Sequence, residues 1–140
     1  MPVDRSPPYI RPMKETLQPG LTRTQSYPTT IDMRARQLVA DVFSTPSMIS
    51  LMERTCTELT EPHLDANEQT VGIHIDVRHL ASTRIGQQVT MTAEIIEVKD
   101  KKIRYSVSAR NDDGTTIGDG TQWRAVVDTT RFAGGTESKS

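Results

Sequence analysis

Three residues of this chain combine types and spacing that could do chemistry: Thr45, Glu53 and His79. In the segment STPSMISLMERTCTELTEPHL (44–64), Met48, Leu51, Met52, Cys56 and Leu59 recur at helical spacing. Thr45 is a good N-cap, Pro46 a good first helical residue, and Pro62 a stop, so the spacing predicts a helix over about 46–61. Glu53 falls at the border of its apolar face rather than on the far polar side. In the next segment Val71, Ile73, Ile75 and Val77 alternate with Gly72, His74, Asp76 and Arg78, and His79 shares the apolar parity. A carboxylate and an imidazole facing one partly dry cleft make a general base that works near neutral pH. At the helix start, the hydroxyl of Thr45 and the free N–H groups of Ser47 and Met48 could stabilise negative charge on a carbonyl under attack.

The elements that must hold these residues follow from the period of the pattern. Residues 21–29 alternate weakly, are rich in threonine and contain Pro28, as an edge strand does. Residues 33–41 could form a short helical turn. After the helix, all remaining segments have period 2. Val89, Met91, Ala93 and Ile95 alternate with polar residues, and the slip at Ile95-Ile96 predicts a bulge. Ile103, Tyr105, Val107 and Ala109 follow a polar connection at 99–102, then Asp112-Asp113-Gly114 makes a turn. In the last strand, about 116–128, Ile117, Thr121, Trp123, Ala125 and Val127 are assigned to one face. One long helix and about five half-apolar strands joined by tight turns predict an α+β chain with a curved antiparallel sheet wrapped around the helix, the hotdog fold. The main competitor, a ferredoxin-like fold, needs a second long helix, and no segment after residue 65 has helical period.

The 140 residues fit one domain. Residues 1–20 hold five of the eight prolines and no regular period, which predicts a flexible Pro-rich arm; the domain proper is expected over 21–132, and a flexible tail over 133–140. A net charge of -1 with intermixed signs gives no basic surface for nucleic acid. No apolar run is long enough to cross a membrane, and the start lacks the apolar stretch of a secretory signal, so a cytoplasmic protein is expected. The single cysteine, Cys56, sits at core spacing and offers no disulfide or metal cluster, so no metal and no cofactor is expected. His63 and His74 are given no role. Lys99, Lys101, Lys102 and Arg104 make a basic hairpin tip, solvated or in touch with phosphates.

Over residues 21–132 the chain resembles the fluoroacetyl-CoA thioesterase family of hotdog enzymes. The likeness is carried by VFSTPSMISLMERTC (42–56), TVGIHIDVRHLAS (70–82), VTMTAEI (89–95) and GDGTQWRAVV (118–127), in that order and spacing. The resemblance implies hydrolysis of an acyl-CoA thioester, a catalytic set of Thr45, Glu53 and His79, and a homodimer. It implies that Gly72, Arg124 and Val39 contact the substrate, with Gly72 helping to place the thioester carbonyl. Arg36 and Val39 stand where the fluoroacetyl-specific enzyme carries lid phenylalanines. Within this reading, Glu53 and His79 activate water, or Glu53 attacks as nucleophile, while Thr45 orients the carbonyl or relays a proton. Two other functions share the fold: a non-catalytic binder of acyl-CoA or another small ligand, and a hydratase or dehydratase acting on an enoyl or hydroxyacyl thioester.

Overall fold

A computed structural model describes residues 15–36 and 40–131. Its elements are strand β1 (Thr22–Pro28), a 3-10 turn (Ile31–Met33), helix α1 (Thr45–Thr60), a second 3-10 turn (Glu61–His63) and strands β2 (Glu68–His79), β3 (Gln88–Lys99), β4 (Lys102–Asn111) and β5 (Thr116–Asp128). The strands form one antiparallel sheet in the order β1-β3-β4-β5-β2, which leaves β1 and β2 at its edges.

Helix α1 exists because its apolar positions share a face and its start is capped. Met48, Leu51, Met52, Cys56 and Leu59 are buried against Val89, Met91, Ala93 and Ile95 of β3 and Ile103, Tyr105, Val107 and Ala109 of β4. Each such large side chain contributes about 1.5–3 kcal/mol by leaving water. The cap is Ser44, not Thr45: the Ser44 side chain accepts from the Ser47 N–H at 3.2 Å, and the Met48 N–H bonds the Ser44 carbonyl. Serine and threonine both cap well, and here the helix starts one residue earlier than expected, with Thr45 as its first residue and Pro46 as its second. The Ser47 and Met48 N–H groups are therefore already bonded, and neither is free to hold an oxyanion.

The bulge expected in β3 is present, with the register slipping between Ile95 and Glu97. A bulge in β2, between Gly72 and His74, was not expected, and it divides the strand. Before it Thr70 and Gly72 lie opposite Val126 and Arg124; after it Ile75, Val77 and His79 lie opposite Gln122, Gly120 and Gly118. All of these are on the helix side, so Val71 does not share the face of Val77 and His79.

The face assigned to β5 is corrected more broadly. Ile117 is buried at a slip in the β4–β5 register, and beyond it Gly118, Gln122, Arg124 and Val126 face the helix, while Thr121, Trp123, Ala125 and Val127 face away. Gly118 lies under the helix, where an added Cβ would come within 2.5 Å of Met48 Sδ. Two glycines and two polar residues on the inner face carry no hydropathy signal, so the pattern pointed to the wrong side. At the N-terminus, Leu17 is buried in the core and Thr16 bonds His63 at 2.7 Å, so packed structure begins inside the segment expected to be an arm. Residues 1–14 and 132–140 lie outside the described residues.

Candidate active site

Because Ser44 does the capping, the hydroxyl of Thr45 is free for other work. It lies 2.7 Å from Nδ1 of His79, reaching from the first turn of α1 to the end of β2. A groove of about 340 Å³ runs beside the pair, lined in part by Val42, Phe43, Leu80 and Ala81. His79 is half-buried there. Loss of hydration lowers its pKa below the ordinary imidazole value, and a backbone contact at Ala81 only partly offsets this. The imidazole is thus neutral near pH 7, and with Nδ1 unprotonated it accepts the Thr45 proton. A neutral imidazole bonded to a hydroxyl can withdraw a proton from that hydroxyl or from a water replacing it.

A second station lies two turns further along α1. Glu53 Oε2 pairs with Arg124 Nη1 at 3.0 Å. Arg124 is only 6% exposed, and its remaining bonds go to protein acceptors: Nε to Thr70 Oγ1 at 2.9 Å, Nη2 to the Thr70 carbonyl at 3.1 Å, and Nη1 also to Gln122 Oε1 at 3.2 Å. Gly72 completes the arrangement by being small. A Cβ there would sit 2.7 Å from Glu53 Oε2 and 3.4 Å from Arg124 Nη1. The carboxylate therefore rests over bare backbone on an edge strand, clamped on one side by a buried cation.

The structure thus brings the expected residues together in two groups rather than one. Thr45 joins His79, and Glu53 joins Gly72 and Arg124. Within one chain the two groups are separated along the helix by eight residues, about 12 Å at the α-helical rise, so Glu53 and His79 do not face each other as the strand parity implied. Val39 lies outside the described residues. Ser44, Thr70 and Gln122 were not singled out from the sequence. Ser44 could have been found as a rival cap. Thr70 and Gln122 bond Arg124, and nothing local in the sequence marks them. Cys56 is a core residue, its thiol pushed up to about 12 by burial, and it is no nucleophile at neutral pH.

These are the surroundings in which likeness to known proteins carries weight. The sequence profile of the fluoroacetyl-CoA-specific thioesterase family matches residues 27–130. The chain belongs to this family. A fluoroacetyl-CoA thioesterase from Streptantibioticus cattleyicolor is 39% identical over 92 residues, a stretch that spans 66% of each chain. A solved structure of a fluoroacetyl-CoA thioesterase superposes with a TM-score of 0.80 at 30% identity, covering 85% of this chain and 94% of that one. A thioesterase-superfamily protein from Thermus thermophilus, 22% identical with a TM-score of 0.76 over 84% of this chain and 88% of its own, shares the hotdog fold. As a member of the fluoroacetyl-CoA-specific thioesterase family, the chain has the one-helix, five-strand hotdog architecture expected from its sequence. Among the described residues no helix is long and apolar enough to cross a membrane, and no cluster of His, Cys, Asp and Glu could hold a metal ion.

Proposed function

We propose that this protein hydrolyses an acyl-CoA thioester to the free acid and coenzyme A, with Thr45, His79 and Glu53 as its catalytic groups. The observation that carries the reading is the 2.7 Å bond between the Thr45 hydroxyl and the neutral imidazole of His79, beside an open groove, in a thioesterase-family chain. His79 takes a proton from water or from the Thr45 hydroxyl. Glu53, paired with Arg124, activates water or attacks the carbonyl, and Gly72 leaves the carbonyl room to approach. With Arg36 and Val39 at the family's lid positions, the acyl group need not be a fluorinated one. A cytoplasmic location fits coenzyme A chemistry and an unpaired thiol.

The two stations meet if the protein is a homodimer. The edge strand β2 exposes Ile73 (48%) and Ile75 (37%), an apolar edge that invites a partner strand. A two-fold axis through Asp76 would pair two copies of β2 antiparallel, Ile75 opposite Val77 and, across the bulge at Ile73, position 72 opposite position 79. Both positions face the helix side, so Glu53 and Gly72 of one subunit would confront Thr45 and His79 of the other. Each dimer would then hold two complete sites.

Release of free thiol from a panel of short, branched, aromatic and long acyl-CoAs tests the activity. Wild type is expected to turn over at least one class, and His79→Ala to lower that rate by about 100-fold or more, the lower scale for acid–base catalysis. Undiminished release in the variant would remove His79 from the mechanism. Binding without release across the panel would make the chain an acyl-CoA-binding protein.

A further inference from the structure

Gln122 is the one residue of the inner sheet face near Glu53 whose polarity the catalytic reading leaves unexplained. Its side chain is fully buried, on the same face as Tyr105 and Ile75, the residues opposite it on β4 and β2. Its Oε1 accepts from Arg124 Nη1 at 3.2 Å, and that same Nη1 donates to Glu53 Oε2 at 3.0 Å. Its Nε2 is buried and has no hydrogen-bond partner among the described residues. A buried amide with an orphan donor is a costly filler, and an apolar side chain of like volume would close the same space without one. What the amide supplies is an acceptor of zero net charge directly beneath the guanidinium.

We propose that Gln122 is a positioning residue for Glu53, acting through Arg124; the inference rests on the catalytic reading of Glu53 given above. Thr70 fixes the Nε and Nη2 side of the guanidinium, and Gln122 fixes the Nη1 side that faces the carboxylate. Sealed from solvent, the amide touches no substrate. Its neutrality is the decisive property. A carboxylate in its place would compete with Glu53 for Nη1 and would neutralise the cation that holds Glu53 over Gly72. An apolar residue would remove one anchor but leave the charge of Arg124 entirely to Glu53.

Two near-isosteric variants separate these effects. Gln122→Glu keeps shape and acceptor but adds charge; Gln122→Met keeps volume but removes the acceptor. Crystal structures of both are expected to show the Arg124–Glu53 contact opened from 3.0 Å in Gln122→Glu and retained in Gln122→Met. Kinetically, Gln122→Glu is expected to lower kcat by about 10- to 100-fold, the scale of a misplaced catalytic group, with KM little changed, and Gln122→Met to lower it less. A purely structural role also makes Met the better-tolerated filler, so the deciding readouts are the opened Arg124–Glu53 contact and a loss in kcat with KM unchanged. An unchanged Arg124–Glu53 contact in Gln122→Glu overturns the proposal, as does wild-type kcat in Gln122→Met or a larger kcat loss there than in Gln122→Glu. If wild type released no thiol from any acyl-CoA, the catalytic reading would fail, while the pair of structures would still decide whether Gln122 governs the Arg124–Glu53 contact.

Discussion

At the scale of single residues, the site is governed by what each side chain is relieved of. Thr45 is relieved of capping by Ser44, so its hydroxyl is free to bond His79. Replacing Thr45 by Ala is expected to lower kcat by about 100-fold while leaving the urea midpoint nearly unchanged, because the cap survives. A fall in stability equal to that of a lost cap would return Thr45 to a structural role. His79 is relieved of hydration, which depresses its pKa. With the neutral form as the proposed base, kcat/KM is expected to stay level as pH drops through about 6.5, the ordinary imidazole value, and to fall only below it. An acid limb centred above that value would contradict a desolvated His79. The same depression has a stability consequence. The unfolded chain takes up the proton more readily, so stability from this group is present above the unfolded pKa and is lost as pH falls toward the folded one. Gly72 lacks the Cβ that would lie 2.7 Å from Glu53 Oε2. Its backbone lies where other residues are also allowed, so Gly72→Ala should fold and lose about 10- to 100-fold in kcat through displacement of the carboxylate. Wild-type turnover by a folded Gly72→Ala would show that Glu53 needs no such clearance.

At the scale of elements, helix α1 and strand β2 carry the site between them, and each has one device that sets the aim. For the helix it is the Ser44 cap. Ser44→Ala leaves the Ser47 N–H without its acceptor and is expected to destabilise by about 1 kcal/mol in urea denaturation, in contrast to Thr45→Ala. Equal stability of the two variants would mean that the cap register is wrong. For the strand it is the bulge between Gly72 and His74, which lets an even-numbered residue and an odd-numbered one face the same helix. Without the extra residue, either Gly72 or His79 would point to the outer face. Sequence periodicity located both elements, because a 3.6-residue apolar stripe and a 2-residue alternation need no tertiary context to be visible. It missed the bulge, and it reversed β5, because Gly118, Gln122 and Arg124 offer no hydropathy while Trp123 and Val127 offer a great deal.

At the scale of the whole molecule, a single chain keeps the Thr45–His79 pair apart from the Glu53–Gly72–Arg124 group, and the proposed homodimer joins them across subunits. Mixing His79→Ala with Glu53→Gln subunits therefore gives a sharp outcome. Each mixed dimer would contain one site with Glu53 from one chain and His79 from the other, both intact. With random exchange half the dimers are mixed, so about a quarter of wild-type activity should return in a symmetric two-site dimer. No recovery, with exchange demonstrated by size or mass, would confine each site to one chain.

The sequence by itself determined the hotdog architecture, the helix from its stripe and prolines, the β3 bulge, and the identities of Thr45, Glu53, Gly72, His79 and Arg124 as the residues to examine. These follow from local periodicity and from a family pattern spread along the chain. Only the tertiary structure decided who meets whom. Thr45 bonds His79, 34 residues away, while Ser44 caps the helix. The inward turn of Arg124 depended on Glu53, Thr70 and Gln122 supplying acceptors that compensate for burying a cation. The separation of Glu53 from His79 depended on how α1 lies across β2. Each is a contact between residues distant in the chain, and no spacing within one element encodes it.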